Sequence, residues 1–264
     1  MKLAARVEGV GLVGPGLSGW SGSRAMLSGE IPYSPRPTSI PAPEALPAVE
    51  RRRAGKCVRL ALAAGLEAAA DAHRNARDLA AVFASSTGDG ENLHAICEAL
   101  ASDDRMISPT RFHNSVHNAP SGYWGIATGA MQATDSIAAY DGSFGAGLLE
   151  AVSRLAAEPR QPVLLIAYDA PYPEPLHATR PIPDSFAVAF ALSDSKAAGR
   201  APVIAIETTR EAGDVLADPA LEAVRAGIPA ARALPLLRFL ARGQTGVTTL
   251  DYLDGLSLRV EISR

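Results

Sequence analysis

Apolar residues come in short blocks separated by polar turns along the whole chain. Ala4 to Leu12 reads as a first strand. Leu79 to Ser85, Pro162 to Tyr168 and Phe186 to Leu192 are nearly unbroken apolar runs of strand length, the pattern of strands buried on both faces. Ser136 to Ala139 is a further short strand. Between them lie stretches rich in alanine and leucine, residues that favour helix: Val49 to Ala72, Glu91 to Leu100 and Ser143 to Ala157. Asn118 or Ser121 is placed to cap another helix, running to about Gly129. Ser86 to Gly90 reads as a turn, and Ser108 to Val116 and Pro171 to Pro183 as loops. Gly14 to Pro47 carries six prolines from Pro32 onward and reads as an extended arm on the surface. The tail holds a strand (Pro202 to Thr208), a helix (about Leu221 to Ala241, broken near Pro229) and a last strand (Leu256 to Ile262).

The order is β-α-β-α-β-α-β-β. It predicts an α/β fold with a mixed, mostly parallel sheet and helices on both faces, plus a short C-terminal β-α-β extension. We expect one domain over residues 1–264, with the main unit at 1–195 and the extension at 196–264.

Composition narrows the function. The chain has 264 residues, 47% of them hydrophobic, enough for one sizeable core. A net charge of -3 gives no basic excess for nucleic acid or an anionic membrane surface. Arg51, Arg52 and Arg53 form the densest basic run, a solvated or docking face. Cys57 and Cys97 lie within helical patterns and read as reduced core thiols, which argues against a disulfide framework or a zinc site. Arg6 and Glu8 interrupt the N-terminal apolar run, unlike a signal peptide. No apolar run approaches the ~20 residues that span a bilayer. A soluble, cytoplasmic protein without cofactor or metal is expected.

Candidate chemistry centres on Ile137 to Ala151, a strand, a sharp turn and a helix. Asp141 and Ser143 sit at the turn. An aspartate there is suited to cap the helix, where its charge also meets the helix dipole. Ser143 lies in the first turn of that helix, outside any Gly-x-Ser-x-Gly elbow. His113 and His117 are four apart with no glutamate after His113, so the zincin pattern is absent. Gly9, Gly11 and Gly14 satisfy G-x-G-x-x-G, but Pro15-Gly-Leu-Ser follows where a dinucleotide fold needs a helix.

Several segments together resemble the beta-ketoacyl synthases of the thiolase fold. They are Val7 to Gly14, Leu60 to Ala64, Ser108 to Phe112 with Asn118 to Gly122, and Phe186 to Ser193. The likeness covers roughly residues 4 to 195, one thiolase half-fold. The His113-Asn-Ser-Val-His117-Asn-Ala-Pro-Ser-Gly-Tyr-Trp124 segment is similar to short chain-length-factor-like subunits that accompany aryl-polyene synthases. Counting from Asn118, the family's nucleophilic cysteine falls on Asp141, and the serine two residues on falls on Ser143. The resemblance puts the two supporting histidines in the second half of the family's fold, and this sequence has no histidine after His177.

The resemblance therefore implies a non-catalytic partner of a full-length ketosynthase, acting with acyl carrier protein in fatty acid or polyene synthesis. It also implies pairing through the strand before the nucleophile helix, which points to Met131, Gln132, Ser136, Ile137 and Ala138. The Ser143 to Ala157 helix would then need cover, from the tail or from a partner. Two other readings stay open: a stand-alone acyl-thioester hydrolase or decarboxylase using Asp141, Ser143 or His117, and a homodimeric scaffold without acyl chemistry.

Overall fold

The first strand, β1 (Leu3–Gly14), lies inside a nine-stranded sheet in the computed structural model, which describes residues 2–264. Its glycines serve packing. A β-carbon on Gly9 or Gly11 would overlap the backbone of the helix lying across the strand, at Ala68 and Ala64 respectively. That helix, not a nucleotide, explains the G-x-G spacing. A two-residue strand, β2 (Leu17–Ser18), folds back on the end of β1.

The predicted arm is only partly irregular. Helix α1 (Trp20–Ser28) forms inside it, burying Trp20, Ser23 and Leu27 at helical spacing and ending on the left-handed Gly29. Beyond it the chain is irregular up to Pro47, with Tyr33 and Leu46 buried. The predicted Val49 to Ala72 helix is broken at Ala54-Gly55. The arginine-bearing α2 (Ala48–Arg53) buries no residue, whereas α3 (Lys56–Asp71) is the helix packed on β1.

The elements that follow keep the predicted order. They are β3 (Ala80–Ala84), α4 (Gly90–Ala101), a short α5 (Pro109–His113) in the predicted loop, α6 (Ala119–Thr128), β4 (Thr134–Ile137), α7 (Ser143–Ala157), β5 (Val163–Asp169), a four-residue α8 (Leu176–Thr179) and β6 (Phe186–Asp194). The tail contains β7 (Val203–Thr209), α9 (Pro219–Gly227), a 3-10 turn at Pro229–Ala233, α10 (Leu234–Arg242), β8 (Gly246–Leu253) and β9 (Leu256–Ser263). The break predicted near Pro229 is present. The β8–β9 hairpin replaces the single predicted last strand, turning at Asp254-Gly255 with Gly255 at φ +66°.

The sheet order is β4-β3-β5-β6-β1-β7-β9-β8. Only β3–β4 and β3–β5 are parallel, and the other neighbouring pairs run antiparallel. The sheet is mixed as expected but not mostly parallel. A parallel return needs a crossover element, usually a helix. The β5–β6 connection has only the four-residue α8, so β6 comes back antiparallel and β1 then pairs against it.

Two apolar layers flank the sheet. On one face α3 and α6 pack with Trp124, Tyr123, Phe83 and Ile166, and Phe83 meets Trp124 edge to face. The other layer is built around α7, with Phe144, Leu148 and Val152 buried. A side chain at Gly147 would strike Ala84 and Leu165, while one at Gly145 would strike Tyr252 and Leu258. Two residues are about 200° apart around a helix, so α7 lies between the central strands and the β8–β9 hairpin. The tail supplies the cover that helix requires.

Of the two cysteines expected in the core, Cys57 is buried and Cys97 is exposed on α4. No helix among the described residues is long and apolar enough to cross a membrane.

Candidate functional site at the turn before α7

Strands β4, β3 and β5 run parallel, so their C-terminal ends meet on one side of the sheet, where open α/β folds place ligands. After β4 the chain makes a 3-10 turn at Tyr140–Gly142 and enters α7. Tyr140 is held at φ +50°, a left-handed conformation uncommon outside glycine. Ser143 closes the turn. Its buried Oγ donates to the Tyr140 carbonyl at 2.7 Å and accepts from the Ala139 N–H at 3.0 Å. The hydroxyl is thereby committed to the backbone around it.

Asp141 does not cap the helix. The N-cap position is Gly142, without a side-chain cap bond. The Asp141 carboxylate turns instead to two arginines, with Oδ1 2.5 Å from Arg180 Nη2 and Oδ2 3.6 Å from Arg232 Nη2. The bond to Arg180 is charge-assisted on both sides. Arg180 comes from the loop before β6 and is stacked over Tyr140, 3.5 Å from the ring centroid, with Tyr172 at 5.9 Å. Arg232 comes from the 3-10 turn of the tail. The cleft between them, about 220 Å³, is lined also by Thr179, Pro181 and Pro229.

His117 does not join this group. Its Nε2 lies 3.4 Å from the Ser85 carbonyl, against the turn after β3. His113 packs edge to face on Tyr123, with centroids 6.1 Å apart. The structure thus brings Asp141 and Ser143 into one turn and engages His117 at another. No group of three or more histidine, cysteine, aspartate or glutamate side chains among the described residues is arranged to hold a metal ion.

Sequence reasoning missed three residues here: Arg180, Arg232 and Asp169. Asp169 ends β5 and is buried. It accepts from Ser86 N–H at 2.8 Å and Ser85 Oγ at 3.3 Å, and from Ala230 N–H at 2.8 Å through its other oxygen. It ties the β3 turn and the tail to the sheet. Burial pushes its pKa up to about 6, against the opposing pull of those donors. A lone acid closing an apolar strand was the available signal. Arg180 and Arg232 gave none, since only the tertiary fold sets them beside Asp141.

The strand ahead of the turn is an edge. The Ala81 N–H binds the Ala133 carbonyl and the Ser85 N–H binds the Ile137 carbonyl, each at 3.1 Å. Alternation along a parallel ladder then turns the amide groups of Thr134 and Ser136 outward. Met131, just before β4, is 90% exposed. Gln132 is exposed beside it, and so is Ala138. Ile137 packs against the core.

A family model for the beta-ketoacyl synthase N-terminal domain matches residues 26–251. The chain belongs to the beta-ketoacyl synthase family. The match runs beyond residue 195 and takes in most of the tail. A search of curated protein sequences returned no significant match. Among solved structures, this beta-ketoacyl synthase relative is similar to a chain of a ketosynthase (ApeO) in complex with its chain length factor (ApeC) from Xenorhabdus doucetiae. The identity is 23% and the TM-score 0.72, covering 99% of this chain and 100% of that one. It is also similar to the ishigamide ketosynthase/chain length factor, at 16% identity and TM-score 0.70, covering 98% and 99%. A third likeness is to AntDE:AntF, a type II acyl-carrier protein in complex with its ketosynthase, at 10% identity and TM-score 0.75, covering 100% and 99%. At these identities the likeness shows the thiolase-like fold that this family member shares.

Proposed function

We propose that this chain is a non-catalytic, chain-length-factor-like subunit. It pairs with a complete ketosynthase and supports elongation on acyl carrier protein, in a pathway of the aryl-polyene kind. The observation that carries the reading is Asp141 bound to Arg180, at the turn that the resemblance aligns with the family's thiol. A carboxylate attacking a thioester makes a mixed anhydride, which water hydrolyses before a condensation can follow. A carboxylate already engaged by a guanidinium is a poorer nucleophile still.

The β4 edge supports the pairing. A partner strand added there would satisfy the outward amide groups of Thr134 and Ser136 and extend one sheet across two chains. Met131 and Gln132 would then face the partner, where a side chain can limit the length of a growing acyl chain.

Light scattering tests the reading, on the chain alone and mixed with a ketosynthase from the same organism. A stable one-to-one heterodimer, with condensation dependent on this chain, supports it. A homodimer that ignores the ketosynthase overturns it. So does thioester hydrolysis by the chain alone that is lost in Asp141→Asn.

A further inference from the structure

Two guanidinium groups from distant segments converge on one carboxylate beside the α7 turn, and both keep unspent donors. Arg180 is 16% exposed and uses Nη2 on Asp141, while its Nη1 is buried and meets no acceptor among the described residues. The Tyr140 ring beneath it holds the guanidinium plane in place. Arg232 stands 3.6 Å from the other Asp141 oxygen, beyond hydrogen-bonding range, and makes no hydrogen bond among the described residues. Its position is set two residues earlier, where the Ala230 N–H is anchored on buried Asp169. Among the described residues Asp141 is the one acid lining this cleft of about 220 Å³, beside two arginines, while Glu211, Asp251 and Asp254 line the adjoining, larger cleft. The nearby Arg225 is not available, being bound to both Glu222 and Asp251.

We infer that this cleft binds a small oxyanion, a carboxylate or phosphate group, held jointly by Arg232 and Arg180, the two guanidinium groups that line it. A guanidinium offers five donors in a planar fork matched to such groups. Asp141 sets the strength of the site, because it competes for the same two arginines. The inference does not depend on the pairing proposed above, since ligand binding is measured on the full chain alone.

The test titrates inorganic phosphate, and separately malonate, into the full chain, with ionic strength held constant by sodium chloride. Binding is followed by calorimetry and by the unfolding temperature. Saturable binding is expected for at least one of the two, and which one binds identifies the source of the oxyanion. Arg232→Gln, with its fold checked by circular dichroism, should weaken binding about tenfold, the effect of losing one charge-assisted contact. Asp141→Asn should tighten it severalfold. Arg180→Gln removes a buried, stacked group and puts folding at risk, so Arg232→Gln carries the test. A response no different from added chloride overturns the inference, as does binding that Arg232→Gln leaves unchanged. Binding seen only in Asp141→Asn also overturns it, because Asp141 is then the cleft's sole occupant.

Discussion

Asp141 and Asp169 stand at the ends of neighbouring stretches of chain, and their surroundings give them different work. Asp141 is half-exposed and offsets two cations. Asp141→Ala leaves Arg180 without its partner, and a loss of about 1–2 kcal/mol in urea unfolding is expected, discounted from the fully buried case for solvent access. Asp169 is buried and joins three segments. Its folded pKa, about 6, lies above the ordinary 3.8, so the folded state binds the proton more tightly. Stability from this group is fully present below about pH 4 and falls as pH rises through about 6, by on the order of 3 kcal/mol. Asp169→Asn should remove that slope. It should also destabilise at every pH, because an amide nitrogen cannot accept from the Ser86 or Ala230 N–H. Urea midpoints at pH 4.5 and 7.5, for both proteins, measure the two effects separately.

At the scale of elements, α7 and β4 are the parts on which the proposed function rests. Helix α7 packs closely on two parts of the sheet because Gly147 admits β3 and β5 and Gly145 admits the β8–β9 hairpin. Gly145→Leu has no room against Tyr252 and Leu258, and a cost of about 1–3 kcal/mol or more is expected from overpacking, read as a lowered unfolding temperature. Strand β4 is governed by its backbone. Ser136→Pro deletes an N–H that the ladder with β3 does not use, and proline is tolerated on sheet edges. Unfolding temperature should stay near wild type while association with a ketosynthase is lost. Retained association would remove β4 as the pairing edge.

Over the whole molecule, the tail decides whether the fold stands alone. Strands β7, β9 and β8 continue the sheet beyond β1, and Tyr252, Leu258 and the Pro229–Ala233 turn cover the α7 layer. A chain ending at residue 195 would expose that apolar layer. It should aggregate or bind a hydrophobic dye, whereas the full chain should do neither. The face that looked available for a partner is occupied from within, which leaves the sheet's two edges, β4 and β8, and the proposed pairing uses β4.

Element order was legible because strands buried on both faces read as unbroken apolar runs and α7 as an alanine-rich stretch between turn residues. The same local patterns carried the family resemblance and drew attention to Asp141. Helix α1 was hidden because prolines dominate the segment after it, and β8 because its alternation in Gly246–Leu253 is broken by paired threonines. Strand direction was not legible, since an apolar run has the same pattern read either way and the connection decides the return. The partners of Asp141 lay further still from sequence reasoning. Arg180 and Arg232 are 39 and 91 residues away, and a salt bridge has no periodicity to betray it. Sequence alone determined most of the strands and helices and their order, and the family resemblance pointed to Asp141. Only the tertiary structure decided what that carboxylate touches, because long-range contacts are set by how the layers close and not by local pattern.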